Sequence, residues 1–187
     1  MTRLIKKLNM SFGDVKTANI STPPLTFYNY SKEDIDVSIN QGFVWHPNFV
    51  GFEIRNQIGS CIVEIHISNH LELESNTERA IVVPYYVSDE NYFYLSDENS
   101  EVRIDLKSGQ YQLLYQNRYL TDSEIESSGE FEDVFDPKED PDSFRPELCL
   151  LTFIPTTEVI EPQILRREPG FNPPSELIMF DEPMPPA

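Results

Sequence analysis

The chain has 187 residues, of which 39% are hydrophobic and 12% aromatic. That suits one cored domain of roughly 150 residues with an extension, and it excludes a wholly disordered protein. Thirty-two acids against fourteen bases give a net charge of −18, which is repelled by DNA phosphates and anionic membranes and favours a basic protein partner.

No apolar run approaches the ~20 residues a bilayer span requires. Met1–Leu8 carries bases but no following apolar stretch of signal-peptide length, so a cytoplasmic location is expected. Two cysteines, Cys61 and Cys149, are too few for a disulfide scaffold. Residues 1–24 are polar and mixed and end at Pro23-Pro24; they read as a lead-in segment. Ser31 followed three residues later by Asp34 signals a capped helical turn running toward Gly42, with Ile35 and Ile39 on one face. No other stretch shows a helical period.

Strand texture dominates from there. Phe49–Ile54, Cys61–Ile67, Arg79–Val87, Asn91–Leu95, Val102–Leu106, Tyr111–Tyr115 and Leu148–Ile154 are rich in β-branched and aromatic residues. Several alternate: Cys61, Val63, Ile65 and Ile67 point one way, Ile62, Glu64 and His66 the other. Turn signals separate them at Ile58-Gly59-Ser60, Ser88–Asn91, Asp97–Ser100 and Lys107–Gln110. About seven short strands at this spacing predict an all-β fold, an antiparallel β-sandwich or partly open barrel, over residues 25–154. The expectation includes one short helix, an acidic loop and an extended tail.

Between Asp122 and Glu147 lie eleven acids and only two bases, Lys138 and Arg145, so these 26 residues carry half the net charge. Length without periodicity predicts an acidic insertion between strands that is either a functional loop or disordered. Residues 155–187 are Pro-rich and read as an extended tail largely outside the core, docking through Phe171 and Leu177–Phe180.

Catalytic constellations are weak. His66 and His70, with Glu64, could ligate a metal, but their spacing falls on a strand and a turn rather than on one helix face. Cys61 and Cys149 sit in apolar strands with no base to activate them. No Gly-rich phosphate loop occurs. The acidic turns Asp89-Glu90-Asn91 and Asp97-Glu98-Asn99 suit either calcium or plain hairpin chemistry. Trp45 reads as a buried loop anchor or an exposed binding aromatic. Nothing requires a cofactor.

The order Gly42-Phe43-Val44-Trp45, Phe49–Ile54, Cys61–Ile67, the strand AIVVPYYV (Ala80–Val87) and the hairpin IDLKSGQYQLLYQ (Ile104–Gln116) resembles the competence protein J (ComJ) family of DNA-entry nuclease inhibitors. The resemblance spans roughly residues 25–154. It implies a small cytoplasmic protein, not an enzyme, that silences a nuclease by direct contact. An acidic surface can occupy a groove built for phosphates. The densest local field comes from Glu124, Glu126, Glu130, Glu132, Asp133 and Asp136, with Phe131 and Phe135 as candidate apolar anchors. These eight residues are the expected partner-binding element. The alternative function is a β-sandwich module binding a sugar or lipid through Tyr85, Tyr92, Tyr94, Tyr111 and Tyr115. A more distant one is an acid/base hydrolase, whose carboxylate pair is invisible to sequence.

Overall fold

The computed structural model describes residues 2–11, 17–23, 28–56, 59–96, 101–131, 133, 135–136, 138–140 and 142–186. Among them, eleven strands form two sheets. The larger runs β1 (Arg3–Ser11), β5 (Ser60–Ile67), β10 (Glu147–Pro155), β9 (Gly109–Tyr119), β6 (Arg79–Val87) and β11 (Gln163–Arg166) in spatial order. The smaller runs β3 (Phe43–His46), β4 (Phe49–Glu53), β2 (Thr17–Ser21), β7 (Tyr92–Ser96) and β8 (Glu101–Asp105).

Neither sheet closes on itself, which removes the barrel alternative. Pairing is antiparallel with one exception: β10 lies parallel to β5, Cys149 opposite Val63. A parallel pair needs a long crossover, and the chain supplies it by building β6 to β9 before returning.

Alternation explains the core. Cys61, Val63 and Ile65 of β5, Val83 and Tyr85 of β6, Tyr115 of β9 and Phe153 of β10 meet Ile20, Val50, Phe52 and Phe93 of the smaller sheet in one apolar cluster. Phe52 stacks flat on Tyr115 with ring centres 4.5 Å apart, and Phe93 lies 4.8 Å from Phe153. Each such fully buried side chain contributes roughly 1.5–3 kcal/mol of transfer free energy.

The seven strands read from alternation are all present, and four more join them. Two of the four come from the supposed lead-in: β1 edges the larger sheet and β2 sits inside the smaller one. As an edge strand, β1 is guarded by exposed Arg3, Lys6 and Lys7, which discourage pairing with another chain.

Helix α1 (Lys32–Gln41) begins at the expected cap, Ser31, whose hydroxyl accepts from the Asp34 amide while Asp34 accepts from the Ser31 amide. It ends at Gly42, whose φ of 82° is open to glycine without strain. The expected apolar face is wrong, however. Ile39 is 62% exposed and Ile35 faces outward, while Asp34, Val37, Ser38 and Gln41 are buried. The polar groups face inward because each has a partner there: Gln41 bonds Ile178 of the tail, Asp34 bonds Ser31 and His46, and Ser38 donates to Glu53.

From Ile178 to Pro186 the chain follows the β3 edge, bonded at every second residue. The Ile178 N–H donates to Gln41 Oε1 (2.8 Å) and its carbonyl accepts from Gln41 Nε2 (2.9 Å). The Phe180 N–H donates to the Trp45 carbonyl (3.1 Å), and the Glu182 carbonyl lies 2.8 Å from His46 Nδ1. The Met184 N–H donates to Asn48 Oδ1 (2.8 Å), and Pro186 bridges to Tyr28. Side-chain amides of Gln41 and Asn48 thus act as substitute peptide groups.

Phe180 stacks on the His46 imidazole at 4.6 Å, and Met184 is buried against Val44 and Phe49. Upstream, Arg79 ion-pairs with Glu168 and lies over the Phe171 ring at 4.3 Å. Arg166 donates to the carbonyls of Glu74, Ser75 and Thr77. The expectation places this segment largely outside the core; these contacts anchor it along the fold.

Two substitutions test this packing. A Cβ on Gly51 would collide with the Tyr30 hydroxyl and lie 2.8 Å from Asn19 Oδ1, two groups bonded to each other. Gly51→Ala is expected to destabilise the fold by about 1–3 kcal/mol in chemical denaturation; an unchanged midpoint would mean that the Tyr30–Asn19 pair steps aside freely. Gln41→Leu strands both peptide groups of Ile178 and is expected to cost about 1–3 kcal/mol. Amide exchange should quicken across residues 178–186 and not in β9, and equal quickening of both would contradict a local lock.

Candidate partner-binding surface

The acidic segment begins where β9 ends. Thr121 caps a second helix, α2 (Asp122–Ser128): its hydroxyl accepts from the Glu124 amide, and Glu124 accepts from the Thr121 amide at 2.8 Å. Gly129 closes the helix in the left-handed region, φ 64°. This stretch, expected as loop, is helical because both caps are present, although its seven residues are too short to show a period.

The segment is not a free insertion. Ile125, Phe131 and Phe135 turn inward onto Ile62, Leu120 and Leu148, forming a separate cluster on the outer face of the larger sheet. The expected anchors Phe131 and Phe135 are therefore buried, at 4% and 3% exposure, and hold the segment to its own protein. The alternation of β5 accounts for this, since Ile62 lies on the face opposite the main core.

Two arginines complete the attachment. Arg118 grips Glu124 with both terminal nitrogens, at 2.8 and 2.6 Å. Arg145 binds Asp122 at 2.6 Å, reaches the Leu120 carbonyl at 3.1 Å and lies over the Phe135 ring at 5.3 Å. The Arg118 guanidinium holds the Glu124 carboxyl down at about 2 despite its partial burial.

The other expected residues divide cleanly. Glu126, Glu130, Asp133 and Asp136 stand exposed along the outside of the cap. Glu132 lies outside the described residues, as does the acidic turn Asp97-Glu98-Asn99. Asp136 accepts from the Lys138 amide at 2.8 Å, and its own amide donates to Asp140 at 2.6 Å, so the turn there is fixed. Glu147, counted with the acidic run, belongs to the core instead: it is fully buried.

The competing chemistry finds less support. His66 pairs with Glu64 and His70 with Glu72, at 3.2 and 3.1 Å. Among the described residues no group of three or more His, Cys, Asp or Glu is arranged to hold a metal ion. Cys61 and Cys149 are buried. Of the five tyrosines considered for a sugar or lipid, Tyr85, Tyr111 and Tyr115 are buried in the core, and Tyr92 lies under Arg103 at 3.8 Å. Trp45 is half-buried, its indole N–H donating to the Pro84 carbonyl at 2.8 Å.

A family model described as Competence protein J (ComJ) matches residues 22–138, from just after β2 to the middle of the acidic segment. The chain belongs to the ComJ family. No curated protein matches it in sequence. Among solved structures it is similar to the crystal structure of ComJ, inhibitor of the DNA degrading activity of NucA, from Bacillus subtilis. The TM-score is 0.56 at 16% identity, over 83% of this chain and 99% of that one. That likeness extends the shared fold beyond the family match. The tail along β3 lies outside the matched residues 22–138.

The Arg118–Glu124 pair has a pH signature. A carboxyl held near 2 when folded, against about 4.3 when unfolded, stabilises fully above pH 4.3 and loses that contribution as pH falls toward 2. Glu124→Gln should therefore unfold more easily than the parent at pH 7, by about 1 kcal/mol or less because the pair is partly exposed. The two should converge by pH 2. A gap that persists unchanged at pH 2 would locate the effect in packing rather than charge.

Proposed function

We propose that this ComJ-family chain is a non-enzymatic cytoplasmic protein that inhibits a DNA-degrading nuclease by contact. In this reading two stacked β-sheets, a β-sandwich, carry the acidic cap that enters the nuclease's basic groove. The observation that carries the proposal is the division of labour within residues 122–147. Glu124, Phe131 and Phe135 fasten the segment, leaving Glu126, Glu130, Asp133 and Asp136 outward on a fixed frame. Glu132 completes the element we assign to binding.

Fixed carboxylates suit this role better than mobile ones. A basic groove tracks a phosphate chain of regular charge spacing, and a preordered row of acids enters it without losing further conformational entropy. Charge of this density accelerates encounter, and the acceleration falls with salt. Family membership supports the nuclease as target, because the solved relative inhibits the DNA-degrading activity of NucA.

The test is inhibition of DNA cleavage by the nuclease purified from the same organism. The chain should inhibit at low salt and lose potency as salt rises. Replacing Glu126, Glu130, Asp133 and Asp136 together by Gln or Asn is expected to slow association at least tenfold and flatten the salt dependence, with little change in stability. Unchanged potency and salt slope in that variant would remove the acidic cap from the interface.

A further inference from the structure

At the opposite end of β9 from the acidic cap, the fold leaves an apolar cleft of about 330 Å³ unfilled. Trp45, Pro84, Tyr86, Tyr111, Val159 and Ile160 line it. Its walls come from three places: β3, the end of β6 with the start of β9, and the segment after β10. The wall is fixed, since the Trp45 indole N–H is bonded to the Pro84 carbonyl, the Tyr111 hydroxyl to the Lys107 carbonyl (2.7 Å), and the Thr156 amide to the Gln110 carbonyl (3.0 Å).

Two of its side chains are conspicuous. Val159 is 89% exposed and Tyr86 46%, both apolar surfaces held in water beside a half-buried tryptophan. Aromatic side chains around a fixed cleft are the composition of interface hot spots. The charge is one-sided as well: Glu158 sits on the rim, and among the described residues no lysine or arginine lines the cleft. Aromatic faces beside a carboxylate attract a cationic head while accepting its apolar stem.

We infer that this cleft docks a basic segment of the inhibited protein, an arginine or lysine flanked by apolar residues, as a contact separate from the acidic cap. The inference rests on the reading of the chain as a protein inhibitor and adds a second site to it. Gln110 and Tyr119 stand nine residues apart on β9, roughly 31 Å in extended geometry. Substitutions at the two ends therefore act independently. The cap supplies long-range attraction; the cleft supplies an anchor that slows release.

The experiment compares the full-length chain with Val159→Lys and Tyr86→Ala in the DNA-cleavage assay, and reads the fluorescence of Trp45, the sole tryptophan. Val159 is largely in water and Tyr86 about half so, and an unchanged thermal midpoint is the check on folding. Each variant should inhibit at least tenfold less well through faster dissociation, with the salt slope of the parent retained. If the parent inhibits and both variants match it, the cleft is not an interface, whereas the reading of the chain as an inhibitor stands.

A parent that fails to inhibit refutes that reading instead, and a peptide titration then judges the cleft alone. A hexapeptide amide alternating leucine and arginine should shift Trp45 emission, at least tenfold more weakly with Val159→Lys. A leucine–glutamate peptide that binds equally well would overturn the inference. So would parent dimers that Val159→Lys dissolves, since the occupant would then be a second copy.

Discussion

One buried carboxylate joins the two sheets. Glu147, the first residue of β10, has no exposed surface. It accepts from the backbone N–H groups of Arg55 (2.9 Å) and Asn56 (2.7 Å), where the chain leaves β4, and from Asn117 of β9 (2.6 Å). Asn56 in turn bonds Ser60 in both directions and so sets the start of β5. The passage from the smaller sheet to the larger is thereby tied to the central strands of the larger. Burial pushes the Glu147 carboxyl above its ordinary value, and Arg55 with the three N–H donors works against that push. Arg55 is itself held by Glu78 at 2.7 Å and lies over Tyr119 at 4.5 Å. Losing one member of such a set costs about 3–5 kcal/mol, because the remaining charge is left buried.

The same strand that starts at Glu147 carries the acidic cap on its other side. Leu148, the next residue, faces outward under Phe131 and Phe135, while Cys149 faces the main core. Period-two geometry thus lets adjacent residues of one strand serve stability and surface separately. With Asp122 and Glu124 taken by the arginines and Glu147 buried, Glu126, Glu130, Asp133 and Asp136 remain outside on one frame. That arrangement converts net charge, which by itself says only that a protein is soluble, into charge at defined positions.

Much of this was legible in the sequence, and the gaps have physical causes. The seven strands with an apolar face announced themselves through β-branched and aromatic alternation. β2 did not, because Thr17, Asn19 and Ser21 are buried through hydrogen bonds, such as Tyr30 to Asn19, rather than through hydrophobicity. β1 hid behind the charges that protect its edge. The Ser31 cap was visible, whereas the helix face was misjudged because Gln41 is buried for Ile178, 137 residues away, and Asp34 for Ser31 and His46. For α2 the signal existed in Thr121, Glu124 and Gly129, a capping box with a C-terminal glycine. The inward turn of Phe131 and Phe135 had no local signature. It depends on Ile62 and Leu148, which sequence separation conceals.

The tail along β3 has a consequence for how the protein is made. Gln41 and Ile178 are 137 residues apart, and His46 and Glu182 136. At about 5–20 residues per second, the ribosome delivers the cover roughly 7 to 27 s after the edge it covers. During that interval β3 is a strand edge without its partner, the kind of surface on which nascent chains pair wrongly. The fold answers with partners that wait well: Gln41, His46 and Asn48 are side chains on β3 or beside it, able to bond water until the tail arrives. Completion of this surface is thus timed by translation, and the smaller sheet stays open at one side until residues 178–186 have been synthesised.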